Sequence, residues 1–519
     1  MNRFIDDLNR YALEKPDTPL ITIDGVTVTY GQFGKDIINI SSALSEFGIH
    51  ADEKVGLIIP NSIQWYRLFW SAIKIGAQPV PIDPQSGEVE LKRLIDTADT
   101  EILFIADHYR NNNIISAVDK VVDMFDFVKK VVVISDFDKE SVTSEKFMSY
   151  DEFMALGKGE DLPVFNVDST HVMSLACTSG STGNPKVLTV PYEGFYDAIV
   201  DISDYLGFTS DDTMMIGMPL YHQGGFGMGS QILVKGGHVI YQPQFEPINF
   251  LQTVEKYKVT AIQLTSTLAK ILLSVPDFDS YDISAVRVCY FAGEVLPKEI
   301  ADILIDKFGI RVINVIGSSE TATMVVWDSD RDRETDPSDF RELPFTKARV
   351  IDENGDDVED GIAGELCIYT SAVIFNYRKN PSESEKVVYY NDKRWFRTGD
   401  MTVRLPDGRL RFVGRNKRII KRGANLVHAE EVEAFILSHP KVEACAVTAE
   451  DHPVIGQQIV AYIQPVSNET VTRGDLARFF NGKLSAYKVP DKVVLTDDLP
   501  KDIGKIQFKY IRNASVVKK

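Results

Sequence analysis

Cysteine is scarce in this chain: Cys177, Cys289, Cys367 and Cys445 lie far apart along 519 residues. None of their spacings is that of a metal site or a disulfide framework, so they read as core thiols in a reducing cytosol. Long hydrophobic runs are missing too, and no stretch approaches the roughly 18 apolar residues of a membrane span. The N-terminus lacks a basic, apolar leader. Asp6 and Asp7 sit among Phe4, Ile5, Leu8 and Tyr11, the pattern of an amphipathic helix rather than a signal peptide. Positive charge is in deficit, with 56 Lys and Arg against 75 Asp and Glu, which argues against a nucleic-acid surface built from clustered basic residues. No internal repeat or low-complexity tract is present. What remains, 44% hydrophobic and 25% charged, is the composition of a soluble globular protein too long for one ordinary core, so at least two domains are expected.

Asp24-Gly25 marks a hairpin turn. After it, short apolar runs alternate with helix-length segments: 55–59, then 62–75, then 80–82, with further runs at 102–105 and 131–134. This is the rhythm of an α/β layer with a largely parallel sheet. It recurs from 213 to about 317, with strands expected at 239–240, 261–264, 286–291 and 312–316. From about Phe345 the pattern changes to hairpins, with turns at Asn354-Gly355 and Asp407-Gly408 and a period-2 run at 409–413, as in a small antiparallel sheet or barrel. Past 414–418 a fresh unit begins, with a helix near 429–437, strands at 444–447 and 459–463, and a helix near 473–480. A boundary between domains 1–414 and 415–519 is expected there.

The most informative stretch is Thr178-Ser179-Gly180-Ser181-Thr182-Gly183-Asn184-Pro185-Lys186. Glycines let the backbone approach phosphate oxygens, the hydroxyls donate to them, and Lys186 adds a cation, so the loop suits a polyphosphate. It is not a P-loop, because an Asn-Pro pair separates Gly183 from Lys186 and no Ser or Thr follows the lysine. Apolar residues at 172–177 and at Val187-Leu188 frame it as a connector between two strands. A flexible Ser/Gly loop is the plain alternative.

Four further segments join it in order: Ile316-Gly317-Ser318-Ser319-Glu320-Thr321, Gly364-Glu365-Leu366, Trp395-Phe396-Arg397-Thr398-Gly399-Asp400, and Gly408 to Arg415 with Lys417 and Gly423. With Leu499-Pro500 and Gly504-Lys505 at the end, the set resembles the adenylate-forming superfamily of acyl-CoA synthetases, adenylation domains and luciferases, across essentially the whole chain. The resemblance implies an α/β fold with a large N-terminal domain of two doubly wound subdomains plus a small β-barrel, and a small mobile α+β C-terminal domain. It also implies an enzyme that joins a carboxylate to ATP, releases pyrophosphate, and passes the acyl group from acyl-AMP to a thiol or another nucleophile.

By that resemblance, residues 178–183 and Lys186 clamp the β- and γ-phosphates. Lys505 reaches the carboxylate and α-phosphate, where two anions must be brought together against their repulsion. Glu320 coordinates magnesium through a hard oxygen, Ser319 donates to the α-phosphate, and Gly317 allows close approach. Asp400 accepts from the ribose hydroxyls, with Arg415 on the same sugar, and Gly293 and Glu294 lie along adenine and ribose. Lys417 is the hinge, and Gly423 borders the acceptor channel. In Pro219-Leu220-Tyr221-His222-Gln223-Gly224-Gly225-Phe226, His222 gates the carboxylate or contacts the adenylate. Phe226, Gly227, Met228 and Thr265 are candidate walls of an acyl pocket, although core packing explains Phe226 and Met228 equally well. No aspartate stands in this segment to hold a substrate ammonium, which favours a simple carboxylic acid.

Some positions depart from the family pattern. Val187 replaces a glycine, Tyr192 a histidine, Ile316 the tyrosine that stacks on adenine, and Ala424 a glycine beside the pantetheine path, while the 499–505 segment is one residue short. The leading expectation is a cytoplasmic ligase using ATP, Mg2+ and CoA on a small-molecule acid. Its alternatives are a stand-alone adenylating enzyme acting on a carrier protein or an amine, and a nucleotide-binding protein without catalysis. Fourteen residues follow Lys505, so a partner would have to supply any carrier domain.

Overall fold

The computed structural model describes residues 1–136, 138–178, 185–293, 296–415, 419–423, 425–467, 469–496, 501–502 and 505–506, with backbone only at 413–415, 419, 426, 428, 430, 434, 501–502 and 505–506. Two compact units divide the chain: Met1–Pro84, Leu94–Thr178 and Lys186–Asn416 form one; Gln85–Arg93, Ser179–Pro185 and Lys417–Lys519 form the other.

In the larger unit, strands Gln78–Pro81, Lys54–Ile58, Ile102–Ile105, Lys130–Val133 and Phe147–Ser149 lie in that order and pair in parallel throughout. Their residues are nearly all buried, as expected of strands covered on both faces. Helix Ile63–Lys74 starts where the Ser62 side chain accepts from the Trp65 amide, and everything from Leu68 to Lys74 is buried.

The second sheet has 14 strands. Its parallel part runs Pro19–Ile23, His238–Tyr241, Thr213–Ile216, Ala261–Leu264, Val288–Ala292 and Arg311–Ser318. The hairpin at Asp24-Gly25 adds Val26–Thr29 at one edge. The antiparallel strands expected as a small sheet or barrel are hydrogen-bonded into this same sheet. Asp339–Glu342 pairs with Ala322–Asp328 on one side and Leu410–Arg415 on the other, and Lys393–Arg404, Ala363–Tyr369 and Lys347–Ile351 follow. Strands Val172–Thr178 and Lys186–Pro191 form a separate antiparallel pair flanking 179–185.

An aromatic cluster fills the core between these layers. Phe226 is its centre, with ring centroids 4.2 Å from Phe69, 5.6 Å from Trp70, 5.9 Å from Trp65 and 6.1 Å from Phe195. The helix carrying it, Gln223–Leu233, begins with glycines because its backbone is pressed against its neighbours: a Cβ on Gly225 would lie 2.1 Å from the Pro219 carbonyl oxygen. Tyr192 is fully buried, its hydroxyl donating to Asn2 Oδ1 and accepting from the Phe4 amide. Asp7, within the first helix, is buried and accepts from the Tyr196 hydroxyl at 2.7 Å.

The smaller unit has a sheet of Asn425–His428, Ile419–Arg422, Gly456–Pro465 and Val442–His452, with Lys492–Leu495 parallel to Gly456–Pro465. Helices Ala429–Leu437 and Arg473–Phe480 supply Val432, Ile436, Leu476 and Phe480 to its core. Among the described residues of the chain, no helix is long and apolar enough to cross a membrane.

Phe226→Ala is expected to cost about 3–5 kcal/mol through the cavity it leaves among four rings. The drop in the chemical denaturation midpoint measures it; a change below about 1 kcal/mol would contradict the core placement.

Candidate active site

Five strands, His238–Tyr241, Thr213–Ile216, Ala261–Leu264, Val288–Ala292 and Arg311–Ser318, run in one direction. The loops after them open on one edge of the sheet, where ligands bind in open α/β folds. His222 follows the second of these strands, Thr265 the third, Gly293 the fourth, and Ser319 and Glu320 the fifth. Thr265 is buried and caps the next helix, accepting from the Leu268 amide at 3.2 Å. Gly293 has φ +88°, a conformation that glycine adopts without strain. Gly317 sits where a Cβ would come 2.6 Å from the Ala322 carbonyl oxygen.

Glu320 is held from three sides. Its amide donates to Ser318 Oγ at 3.2 Å, its carbonyl accepts from the Ile374 amide at 3.0 Å, and its Oε1 accepts from the Tyr377 hydroxyl at 2.7 Å. Tyr377 is also the link to Lys186. Lys186 Nζ lies 5.3 Å from the centre of its ring and 2.6 Å from Glu383 Oε2. Lys186 and Glu383 are both buried, and Lys386 pairs with the same Glu383 oxygen. A cation, a carboxylate suited to a hard metal ion and the tyrosine between them therefore form one cluster. The 374–378 segment fastens it to the strand Lys186–Pro191: the Thr189 amide donates to the Asn376 carbonyl at 3.1 Å, and the Arg378 amide to the Val187 carbonyl at 2.8 Å. Val187 is wholly buried opposite Cys177.

Two separate motifs prove to be one structure. Arg397 Nε and Nη2 both donate to Glu365 Oε2, at 2.8 and 2.6 Å, while the Gly399 amide donates to Glu365 Oε1 at 3.0 Å. The Thr398 hydroxyl donates to the Leu366 carbonyl and accepts from the Asp400 amide. Glu365 thus shapes the turn that presents Asp400, which is 2% exposed and pairs in register with Arg415.

His222 lies beside Tyr221, ring centroids 4.9 Å apart, and makes no side-chain hydrogen bond among the described residues. Burial lowers its imidazole to about 4, so the ring is neutral at pH 7 and offers hydrogen bonding rather than charge. Asn61 supports this segment, accepting from the Leu220 amide at 2.7 Å and donating to the Gln242 carbonyl at 2.8 Å. Phe226 and Met228 are in the buried core, and Gly227 is in the same helix, where an added Cβ would meet the Phe195 ring at 3.5 Å.

Ser179, Gly180, Ser181, Thr182, Gly183, Glu294, Lys417 and Ala424 lie outside the described residues, as do the side chains of Arg415 and Lys505. Thr178 ends its strand. In the smaller unit, Gly423 has φ +59° and donates its amide to the Ile455 carbonyl at 2.8 Å, and the Lys505 backbone pairs with Asp502. Sequence reasoning missed Tyr377, Glu383 and Asn61. The signal for the first two was the Tyr377 to Lys386 stretch after Gly364-Glu365, which carries a tyrosine and an acid beside several cations.

Burial raises the Glu383 carboxyl, but the hydrogen bonds from Lys186 and Lys386 outweigh it and bring the group down from 4.5 to about 2. A carboxyl depressed in the folded state stabilises it above its unfolded pKa, and that stabilisation is lost as pH falls from 4.5 towards 2; the full effect is of order 3 kcal/mol. Glu383→Gln is therefore expected to lower the denaturation midpoint at pH 7 and to flatten its decline between pH 4.5 and 2. Parallel pH profiles for the two proteins would overturn the assignment.

The AMP-binding enzyme family matches residues 8–377, and the AMP-binding enzyme C-terminal domain matches residues 431–504. The mitochondrial medium-chain acyl-CoA ligase of Rattus norvegicus is 26% identical over 97% of this chain and 85% of its own. Indoleacetate--CoA ligase of Aromatoleum aromaticum is 23% identical over 97% of this chain and 96% of its own. Among solved structures, the amide bond synthetase McbA from Marinactinospora thermotolerans superposes with a TM-score of 0.85 at 21% identity, covering 98% of this chain and 99% of that one. With most of its length matched in this way, the chain belongs to the AMP-binding enzyme family of the adenylate-forming superfamily and is an AMP-forming carboxylate ligase.

Proposed function

We propose that this ligase activates a carboxylic acid that is not an α-amino acid, forming acyl-AMP and pyrophosphate from ATP and Mg2+, and then transfers the acyl group to CoA. The observation that supports it most is the cluster in which Tyr377 joins Glu320 to Lys186. Adenylation needs a cation for the departing pyrophosphate and a hard-oxygen ligand for the metal that screens it, close together and fixed. The residues fit Mg2+: Glu320 offers a carboxylate with one oxygen already oriented by the Tyr377 hydroxyl, and Mg2+ is commonly held by one or two carboxylates plus substrate phosphates. Bound there, the metal would supply charge neutralisation at the phosphates.

The protein's own groups do the rest. Lys186 with 178–183 holds the β- and γ-phosphates, Ser319 donates to the α-phosphate, and Asp400 and Arg415 orient the ribose. His222, neutral at pH 7, accepts or donates a hydrogen bond at the acid, and Lys505 attracts both the attacking carboxylate and the α-phosphate. The pyrophosphate group leaves as the carboxylate oxygen bonds to α-phosphorus. Rotation of the C-terminal domain about Lys417 then exchanges Lys505 for the loop at Gly423, through which the CoA thiol reaches the acyl carbonyl, and its sulfur bonds to that carbon as the thiol proton is lost and AMP leaves.

Pyrophosphate release on mixing ATP, Mg2+ and a panel of acids tests the first step, and thioester formation on adding CoA tests the second. Acyl-AMP that yields amides with amines and no thioester with CoA would move the acceptor assignment to an amine. Lys505→Ala is expected to slow adenylation by about 10²- to 10³-fold, while Gly423→Leu slows mainly thioester formation. Equal losses in both half-reactions for both variants would refute the domain-rotation scheme.

A further inference from the structure

A set of buried polar side chains lies on the sheet beneath the His222 segment. Gln263 and Tyr290 are register partners on adjacent parallel strands and are 0% and 1% exposed. Gln263 Oε1 accepts from the Met218 amide at 3.0 Å. That amide is a donor, so the atom facing it must be the oxygen, and the orientation of the Gln263 carboxamide is settled. Its Nε2, a donor, is buried with no partner. Gln231, 3% exposed on the helix Gln223–Leu233, lies beside Tyr290, and its Oε1 is also buried and unpartnered. The Tyr290 hydroxyl in turn meets Thr323 Oγ1 at 3.0 Å.

Position gives this cluster its meaning. Met218 is the start of the segment leading to His222, and Thr323 stands opposite Gly317 in the strand pairing. The cluster therefore spans from the segment assigned to the acid to the segment assigned to the adenylate. A purely hydrocarbon acyl chain laid here would leave a buried donor and a buried acceptor unsatisfied, which native interiors avoid.

We infer that the acid this enzyme activates carries a hydrogen-bonding substituent on its acyl part, which accepts from Gln263 Nε2 and donates to Gln231 Oε1. A hydroxyl is the simplest group that does both. Gln263 and Gln231 are then specificity-determining residues. The inference rests on the adenylation reading above and adds a substrate class to it.

The test uses the full-length protein and pyrophosphate exchange into ATP, with pairs of straight-chain and aryl acids of matched skeleton, each with and without a hydroxyl. Within at least one pair, the hydroxy acid is expected to show a kcat/KM at least about tenfold higher. Gln263→Leu and Gln231→Leu are expected to bring that ratio near one by raising KM for the hydroxy acid and lowering it for the plain acid. Because both acids are assayed on the same preparation, the ratio of their kcat/KM values does not depend on how much of a variant is folded. Thr323→Val, which removes a partner of the Tyr290 hydroxyl at a partly exposed position, is expected to reduce the ratio by a smaller factor. Plain acids used as well as or better than their hydroxy counterparts throughout the panel would overturn the inference and leave adenylation standing, as would a preference unchanged in both glutamine variants, the sign that water satisfies the two amides. No exchange with any acid while ATP still binds would overturn adenylation, and this inference with it.

Discussion

Parallel strand direction is the constraint on which the rest of this molecule depends. A strand that runs parallel to its neighbour must be reached by a crossover, so the loops that follow the parallel strands of the central sheet emerge at the same end. Residues as distant in sequence as His222, Thr265, Gly293 and Glu320 are gathered by that rule alone. What the rule cannot provide is orientation. That comes from side chains brought in by the antiparallel region, and the continuity of the two regions in one sheet fixes one against the other.

Three tethers do this orienting. The 374–378 segment hydrogen-bonds along the strand that starts with Lys186 and sends Tyr377 to Glu320. Thr370 donates to the Thr321 carbonyl at 2.7 Å, behind the same loop. Glu365 gathers Arg397 and the Gly399 amide, setting the turn before Asp400. Each tether joins residues more than 30 positions apart, and each spends a charged or hydroxyl group on holding another group still, a common arrangement in preorganised sites.

The secondary structure was largely legible because apolar runs bounded by turn residues leave few choices. The strands at 102–105 and 261–264 and the helices at 429–437 and 473–480 lie where periodicity put them, as does the hairpin at Asp24-Gly25. Side-chain partnerships were less legible. A tyrosine 57 residues from Glu320 and an acid 197 residues from Lys186 carry no periodic signal, since only the folded sheet sets their separation. The burial of Asp7 has no signal in the first helix itself, because its partner Tyr196 lies on another helix. Phe226 was ambiguous for the opposite reason: an aromatic among glycines suits a pocket or a core, and the four surrounding rings come from elements distant in the chain.

On the proposed reading, the Lys186–Glu383 pair decides which anions the loop accepts. On the proposed reading, a ligand does not meet a bare cation but one already satisfied by an internal carboxylate at 2.6 Å. An incoming anion gains only the difference between its own attraction and that of the resident acid, which is small for chloride or an isolated carboxylate. A triphosphate with its metal brings several charges at once and gains more. On that reading Glu383 is a placeholder that sets a charge threshold, against which abundant weak anions compete poorly while ATP is absent.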